Sequence, residues 1–129
     1  MDLRKFQRSS TPNDAFACPA GVCRAKPDFD SPVFALGVAQ LLNRAEAILG
    51  AEPRTELVAK DNNLNQLVFV QRSSVLGFPD TVRVQAAKTD RGVVVIMHSQ
   101  SNYGYWDLGA NKKRVRDWLE KLSSGANSD

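Results

Sequence analysis

The chain has 129 residues, an apolar fraction of 43% and a net charge of +3, values that predict one globular domain with its own buried core. No apolar run approaches the ~20 residues that cross a membrane, and no apolar segment follows the basic N-terminus, so we expect no secretion signal in this sequence. The mild charge, without zinc-finger spacing, an aromatic-basic RNA motif or a long basic face, predicts that nucleic acid is not a partner.

Residues 1–30 show neither helical nor strand periodicity and are interrupted by prolines. We predict an extended arm that lies over the domain and is pinned by Phe6, Phe16 and Val22. A partly disordered tail over residues 1–12 is the alternative.

Two cysteines, Cys18 and Cys23, are separated by four residues. This spacing is not that of a Cys-x-x-Cys redox site, and two thiolates alone cannot complete a zinc site. They could form a disulfide in an oxidising compartment or remain free thiols in the cytosol. The turn-forming residues Pro19 and Gly21 between them favour the disulfide.

A first helix is predicted to begin at Ser31-Pro32, because serine can cap free amides and proline fits the first turn. Apolar residues then recur with helical spacing at Phe34, Val38, Leu41, Leu42, Ala45, Ile48 and Leu49. Gly50 is the predicted end. One face of this helix is apolar and therefore needs a sheet to cover.

Four strands are predicted next, at Thr55–Lys60, Gln66–Arg72, Thr81–Ala87 and Val93–Met97. The turns between them are short, which favours an antiparallel meander. With a helix before and a helix after, the pattern predicts an α+β domain of two layers. We expect an arm at 1–30, a single domain at 31–122 and a flexible tail at 123–129.

The third and fourth strands differ in how they should be covered. Thr81–Ala87 alternates, so that Arg83 and Gln85 would lie on a wet face opposite Val82 and Val84. Val93–Met97 is apolar at every position, which predicts a strand covered on both faces. We expect the arm to shield part of the second face.

The last helix is predicted from Asp107, a natural N-cap, to Leu122. Its apolar stripe comprises Leu108, Val115, Trp118, Leu119 and Leu122. Asn111 falls within this stripe, where a buried amide must find partners or destabilise the fold by ~1–3 kcal/mol. We expect those partners to be backbone groups of the preceding loop, and we expect the basic residues at 112–116 to face mostly solvent.

Polar and aromatic side chains concentrate between this last strand and helix. Ser99 and Ser101 share a face of the strand and could line one pocket with Arg72, Asp107 and Asn111. The alternative is that they only satisfy the backbone of the loop at 102–109. Other candidates considered are an anion held at the helix N-terminus by Arg114, a carboxylate pair of Asp80 and Asp107, and an aromatic cluster of Tyr103, Tyr105 and Trp106.

This region resembles the C-terminal signature of the bacterial and plastid family called Domain of Unknown Function 1499: Ser99-x-Ser101-x-x-Gly104-x-x-Asp107-Leu108-Gly109-x-Asn111-x-x-Arg114-Val115. The segment Gln71–Val82 is similar to the family's Arg-Ser segment and following strand. Pro12-Asn13-Asp14, Cys18-Pro19 and Ser31-Pro32-Val33 resemble its arm. His98, Asn102 and Thr81 stand where such proteins tend to have Arg, Arg and Asp, which weakens the case for an anion held between two arginines.

The resemblance implies a small α+β domain, often in cell-envelope proteins behind a signal or anchor, and implies no activity. We predict a non-enzymatic binding or interaction module with no cofactor and no metal. Its expected partner is a small anionic ligand, a protein or a membrane surface. The predicted ligand-binding residues are Arg72, Asp80, Ser99, Ser101, Tyr103, Asp107, Asn111 and Arg114.

Two alternatives remain open at this point. One is a small hydrolase that uses His98, with a pKa near the working pH, and either Ser99 or Ser101. The other is a structural subunit that binds a protein through the aromatic loop. The resemblance favours the periplasm or cell envelope, whereas a chain that is complete as printed would be cytoplasmic. The sequence leaves the oligomeric state open.

Overall fold

The computed structural model describes residues 1–104 and 107–124. Its elements are β1 Asp14–Ala17, β2 Val33–Phe34, α1 Val38–Leu49, β3 Thr55–Asp61, β4 Gln66–Arg72, β5 Pro79–Thr89, β6 Gly92–Ser101 and α2 Ala110–Ser123. The predicted α+β class is confirmed. Within these residues, no helix is both long and apolar enough to cross a membrane.

The sheet is antiparallel and has six strands, rather than the predicted four or so. Strands β3 to β6 form the expected meander, and β1 extends it in the order β1-β6-β5-β4-β3. The short strand β2 also pairs with β6, opposite Val93 and Val94. Both extra strands lie on the outer edge of β6, where they satisfy backbone groups that the meander leaves unpaired. Periodicity in the arm did not predict them, because four residues and two residues are too few to show a pattern.

The first helix begins seven residues later than predicted, since α1 starts at Val38 rather than Ser31. Val33 and Phe34 belong to β2 instead, and Phe34 is buried as a strand residue. Phe34, which the apolar spacing assigned to a helix, therefore pairs with the open edge of β6 instead, as does Val33. The predicted end is confirmed, because α1 stops at Leu49 and Gly50 follows as its C-cap.

The last helix also begins later than predicted, at Ala110 rather than Asp107. Leu108 and Gly109 have φ values of 56° and 82°, and these left-handed conformations cannot continue a right-handed helix. Leu108, predicted to be in the core, is 78% exposed. The rest of the stripe is buried as expected: Val115, Trp118, Leu119 and Leu122.

Two parts of the sequence interpretation lie outside the described residues. The aromatic pair Tyr105 and Trp106 is one, so the predicted aromatic cluster can be followed only at Tyr103. The other comprises residues 125–129, which make up most of the predicted tail.

The two faces of the sheet carry separate apolar clusters. The main cluster lies between the sheet and both helices, where Phe69 packs edge-on against Trp118 with ring centroids 5.8 Å apart. The second lies under the arm, and Phe6, Phe16 and Val22 all pack in it, as predicted. A disulfide between Cys18 and Cys23 closes the adjoining loop.

The arm covers part of the face of β5 that alternation predicted to be wet. Gln85 is 1% exposed. Its side-chain oxygen accepts hydrogen bonds from the Leu3 amide at 2.9 Å and from the Gln66 side chain at 2.8 Å. The prediction failed at this position because a segment more than 80 residues away in sequence supplies the cover.

Replacement of Leu3 by alanine should destabilise the protein, because Leu3 is fully buried in the second cluster. We expect the free energy of unfolding to fall by about 2–5 kcal/mol, measured by urea denaturation. The control is Lys5→Ala in the same segment, where the side chain is exposed. Equal stability of the two variants would contradict packing of the arm on the sheet.

Candidate functional site

The buried side-chain amide of Asn111 is the centre of the polar site. Asn111 is 0% exposed. Its Oδ1 accepts hydrogen bonds from Ser99 Oγ at 2.6 Å and from Arg114 Nη1 at 2.7 Å. Its Nδ2 lies 2.6 Å from Asp107 Oδ2 and 2.9 Å from both Ser101 Oγ and the Asn13 carbonyl oxygen. We call these six residues the Asn111 cluster.

Four parts of the chain supply this cluster: strand β6, helix α2, the arm and, with Asp107, the loop before α2. Strand β6 places Ser99 and Ser101 on one face, two residues apart, as predicted. Helix α2 places Asn111 and Arg114 on the same side because they are three residues apart. The arm contributes the Asn13 carbonyl just before β1. The expected backbone partners in the loop before α2 are therefore replaced by side chains and by the backbone of the arm.

Asp107 retains a capping role although α2 begins three residues after it. Its Oδ1 accepts a hydrogen bond from the Gly109 amide at 2.9 Å, and its Oδ2 accepts one from the Asn111 amide at 3.2 Å. The carboxylate thus satisfies amides at the start of the helix, where its charge is also favourable.

Arg114 faces inward rather than toward solvent, contrary to the prediction for the basic run. Its side chain is 12% exposed and forms an ion pair with Asp80, at 2.9 Å, that ties α2 to β5. Its Nε donates a hydrogen bond to Gln71 on β4, a partner that the sequence did not indicate. The predicted residue Asp80 therefore lies next to the Asn111 cluster, of which Arg114 is a member, and each acidic group there is engaged by a different partner.

Two predicted site residues lie apart from this cluster. Arg72 is exposed, and its Nη1 donates to the Gly77 carbonyl oxygen at 3.1 Å. Tyr103 is 64% exposed, and its ring packs against that of Phe78 with centroids 5.8 Å apart. Since Ser99 and Asn111 are completely buried, the centre of the cluster is a closed hydrogen-bond network. Asp107 and Arg114, at its edges, each line a separate groove at the surface.

His98 lies on the opposite face of β6 from Ser99, as strand alternation predicts. Its Nε2 is 2.9 Å from Asp14 Oδ2, and its ring packs against that of Phe6 with centroids 4.9 Å apart. Neither Ser99 nor Ser101 can therefore pair with His98 as nucleophile and base, so the geometry does not assemble the hydrolase alternative.

The carboxylate beside His98 is part of a longer chain of charges. Asp14 also accepts hydrogen bonds from Arg8 at 3.0 and 3.3 Å, and Arg8 bridges to Asp28 at 2.8 Å. Sequence reasoning did not predict this group, since all its members except His98 lie in the arm. The only available indication was the position of Asp14 in the Pro12-Asn13-Asp14 segment that resembles the family's arm.

Burial determines the protonation of this histidine. Desolvation lowers the pKa of His98 below 6.5, and the nearby guanidinium groups of Arg8 and Arg83 act in the same direction, so together they outweigh the opposing effect of Asp14. Burial alone would raise the pKa of Asp14, but hydrogen bonds from Arg8 and His98 lower it on balance. His98 is therefore neutral at pH 7, between two aromatic rings.

A second candidate surface is apolar and lies where β4 turns into β5. Val75, Leu76 and Phe78 are 88%, 68% and 51% exposed, and Tyr103 from the neighbouring loop packs beside Phe78. We call these four residues the apolar tip. Most large apolar side chains in a domain are covered, so an exposed group of this kind is a candidate binding surface.

The apolar tip is held in a defined shape. Ser73 binds the other end of its loop twice, through its amide to the Phe78 carbonyl oxygen and through its Oγ to the Phe78 amide, both at 3.0 Å. Gly77 closes the turn with φ at +69°, a conformation that favours glycine. Asn102, next to Tyr103, donates its amide to the Pro79 carbonyl oxygen.

Two arginines flank the base of the tip. Arg54 Nε donates to the Arg72 carbonyl oxygen at 3.0 Å, and Arg72 contacts Gly77 within the loop. In the part of the chain that the structure describes, neither guanidinium forms an ion pair. Among the same residues, no group of three His, Cys, Asp or Glu side chains could hold a metal ion.

Comparison with known families identifies the chain. Residues 9–122 match the family described as "Protein of unknown function (DUF1499)". The match covers nearly the whole chain, so the chain belongs to this family, in agreement with the predicted resemblance. Searches of curated proteins and of solved structures found no match.

Replacing Asn111 by alanine should destabilise the fold strongly. The change leaves the Asn13 carbonyl and the Ser99 hydroxyl buried without this partner, and we expect a loss of at least about 2 kcal/mol in the free energy of unfolding. Urea denaturation would measure it. Asn43→Ala, at an exposed position of α1, is the matched control and should change stability by less than about 0.5 kcal/mol. Similar values for both variants would refute the structural role of the cluster.

The stability of the protein should fall between pH 7 and pH 5 because of His98. Its pKa in the folded state lies below 6.5, so the unfolded chain takes up a proton first as pH falls. The free energy of unfolding then decreases by up to about 1.4 kcal/mol per pH unit. Urea denaturation of His98→Gln across this range should give a flatter dependence, since the chain has no other histidine. Parallel curves for the two proteins would rule out this origin.

Proposed function

We propose that this member of the DUF1499 family is a non-enzymatic interaction module that attaches to an anionic lipid surface of the cell envelope through its apolar tip. The observation that carries the proposal is the exposure of Val75, Leu76, Phe78 and Tyr103 on two neighbouring loops. Removing such side chains from water is favourable by about 25 cal/mol per Å² of apolar surface.

The charge around the tip supports a lipid surface as the occupant. Arg54 and Arg72 lie at its base without ion-pair partners among the described residues. Each basic residue close to an anionic membrane contributes about 1 kcal/mol to binding. Apolar side chains at the end of a loop, with cations behind them, match the order of layers at a membrane surface, where acyl chains lie beneath anionic headgroups.

In this proposal the residues of the polar site do not contact a ligand but hold the loops of the tip in place. Arg114 holds Asp80 near the start of β5, and Ser101 at the end of β6 bonds to Asn111. These residues lie close to the chain segments that lead into the two loops of the tip. In this proposal, Arg72 and Tyr103 contact the lipid surface, and the other predicted site residues keep the loops in place.

The disulfide between Cys18 and Cys23 supports the envelope as the location. Disulfides persist in oxidising compartments outside the cytosol. Because only four residues lie between the two cysteines, the disulfide closes a small loop and constrains the arm locally rather than the whole chain.

Vesicle flotation tests the proposal. The protein should float with vesicles of phosphatidylcholine and phosphatidylglycerol, more weakly with phosphatidylcholine alone, and more weakly at high salt. Val75→Ser combined with Leu76→Ser should lower the partition coefficient by roughly tenfold or more, because two apolar side chains no longer leave water.

Val58→Ser is the matched control, since Val58 is 50% exposed on β3 and lies outside the tip. It should partition like the unmodified protein. The proposal is wrong if the double variant floats as well as the control, or if neither protein binds either kind of vesicle.

A further inference from the structure

We infer that Arg83 is the anchor of a second binding site, which takes the carboxylate or phosphate group of a small molecule. This site is separate from the apolar tip and does not depend on the proposed function. It lies on the face of the sheet that the arm covers only in part. Three features of Arg83 support this inference: its position in the sheet, the absence of an ion pair with any described residue, and the groove beside it.

The register of the sheet places Arg83 at the boundary between covered and open surface. Ala59, Val68, Arg83 and His98 form one row across strands β3 to β6. Phe6 of the arm packs on His98 at one end of this row. At the other end, a groove of about 600 Å³ is lined by Ala59, Val68 and Arg83.

Several arginines of the described chain form ion pairs, whereas Arg83, like Arg54 and Arg72, forms none. Arg4 is paired with Asp2, Arg8 with Asp14 and Asp28, and Arg114 with Asp80. Arg83 has no ion pair with any described residue, and its Nε is buried without a hydrogen-bond partner. A partly buried guanidinium is normally paired, and a buried polar atom without a partner calls for an explanation, such as an ion.

The acidic groups near Arg83 form no ion pair with it in the part of the chain that the structure describes. His98, its neighbour in the row, carries no negative charge, and Asp14 beyond it already binds Arg8 and His98. In the groove, Asp61 Oδ1 accepts hydrogen bonds from the Asn63 and Leu64 amides, which closes the turn between β3 and β4.

The walls of the groove indicate the size and chemistry of the ligand. The Met1 carbonyl oxygen is bonded to Gln66 Nε2 at 2.6 Å, which fixes the arm at one side. The β3–β4 turn also lines the groove with Asn62 and Asn63, beside the charged residues Lys60 and Asp61. An arginine fork binds carboxylates and phosphates through two parallel hydrogen bonds. The ligand class is therefore a small polar molecule that presents a carboxylate or phosphate to Arg83 and rests its body on Ala59 and Val68.

Nuclear magnetic resonance of the ¹⁵N-labelled protein tests this inference directly. Acetate and inorganic phosphate are titrated separately, with sodium chloride added to keep ionic strength constant. We expect saturable shifts of the Arg83 Nε–Hε signal and of the backbone amides of Ala59 and Val68. The anion that saturates at the lower concentration shows which oxyanion the site prefers.

Arg83→Gln should weaken binding by roughly tenfold or more, because a charged hydrogen-bond donor is lost. Arg24→Gln is the control, since Arg24 is an exposed arginine outside the groove, and it should bind like the unmodified protein. If Arg83→Gln does not fold, the titration of the unmodified protein still decides the question. Shifts that grow without saturation for both anions, or equal affinity in both variants, would overturn the inference.

Discussion

The hydrogen bonds of the buried Asn111 side chain hold the last helix, the central strand and the arm together. One side chain joins the last helix to Ser99 and Ser101 of the central strand and to the Asn13 backbone of the arm. An amide can do this because it offers both an acceptor and donors from a single buried position. An apolar residue would fit the stripe of the helix equally well, but it would leave these groups unsatisfied.

The arm is the second constraint, and it acts through the outer edge of β6. An open edge exposes unpaired backbone groups and invites association with other chains. Strands β1 and β2 cover that edge, and Leu3, Phe6 and Phe16 cover the apolar face beside it. The arm stops short of Val68, and the groove beside Arg83 lies in the remaining space.

The molecule therefore has two kinds of polar or apolar groups: those that join its elements and those that lie at its surface. The Asn111 cluster and the Arg8–Asp14–His98 chain join separate elements through internal hydrogen bonds, so both hold elements together. Two of their atoms, Asn13 Oδ1 and His98 Nδ1, are buried without a hydrogen-bond partner among the described residues. The apolar tip and Arg83 differ from these two groups. The tip exposes apolar side chains to water, and Arg83 lies beside a groove without an ion pair to any described residue.

Elements long enough to show a repeating apolar pattern could be predicted from the sequence. The strands of the meander from β3 to β6 and the buried stripe of α2 with Asn111 inside it followed from periodicity, because burial on one face repeats along each element. The end of α1 followed from Gly50. Strand alternation likewise placed Ser99 and His98 on opposite faces. The motif from Ser99 to Val115, together with the weaker similarity at Gln71–Val82 and in the arm, also indicated the family, and the match over residues 9–122 confirms it.

Contacts between residues that are far apart in sequence could be identified only from the tertiary structure. Strands β1 and β2, the burial of Gln85 and the inward turn of Arg114 depend on partners far away in sequence, which local spacing cannot encode. The same reason explains why Arg72 and Tyr103 lie outside the Asn111 cluster, while Asn13 joins it and Gln71 binds Arg114. Arg83 has no ion pair with any described residue, and this too depends on the folded sheet, because the charges packed around Arg83 come from distant parts of the sequence.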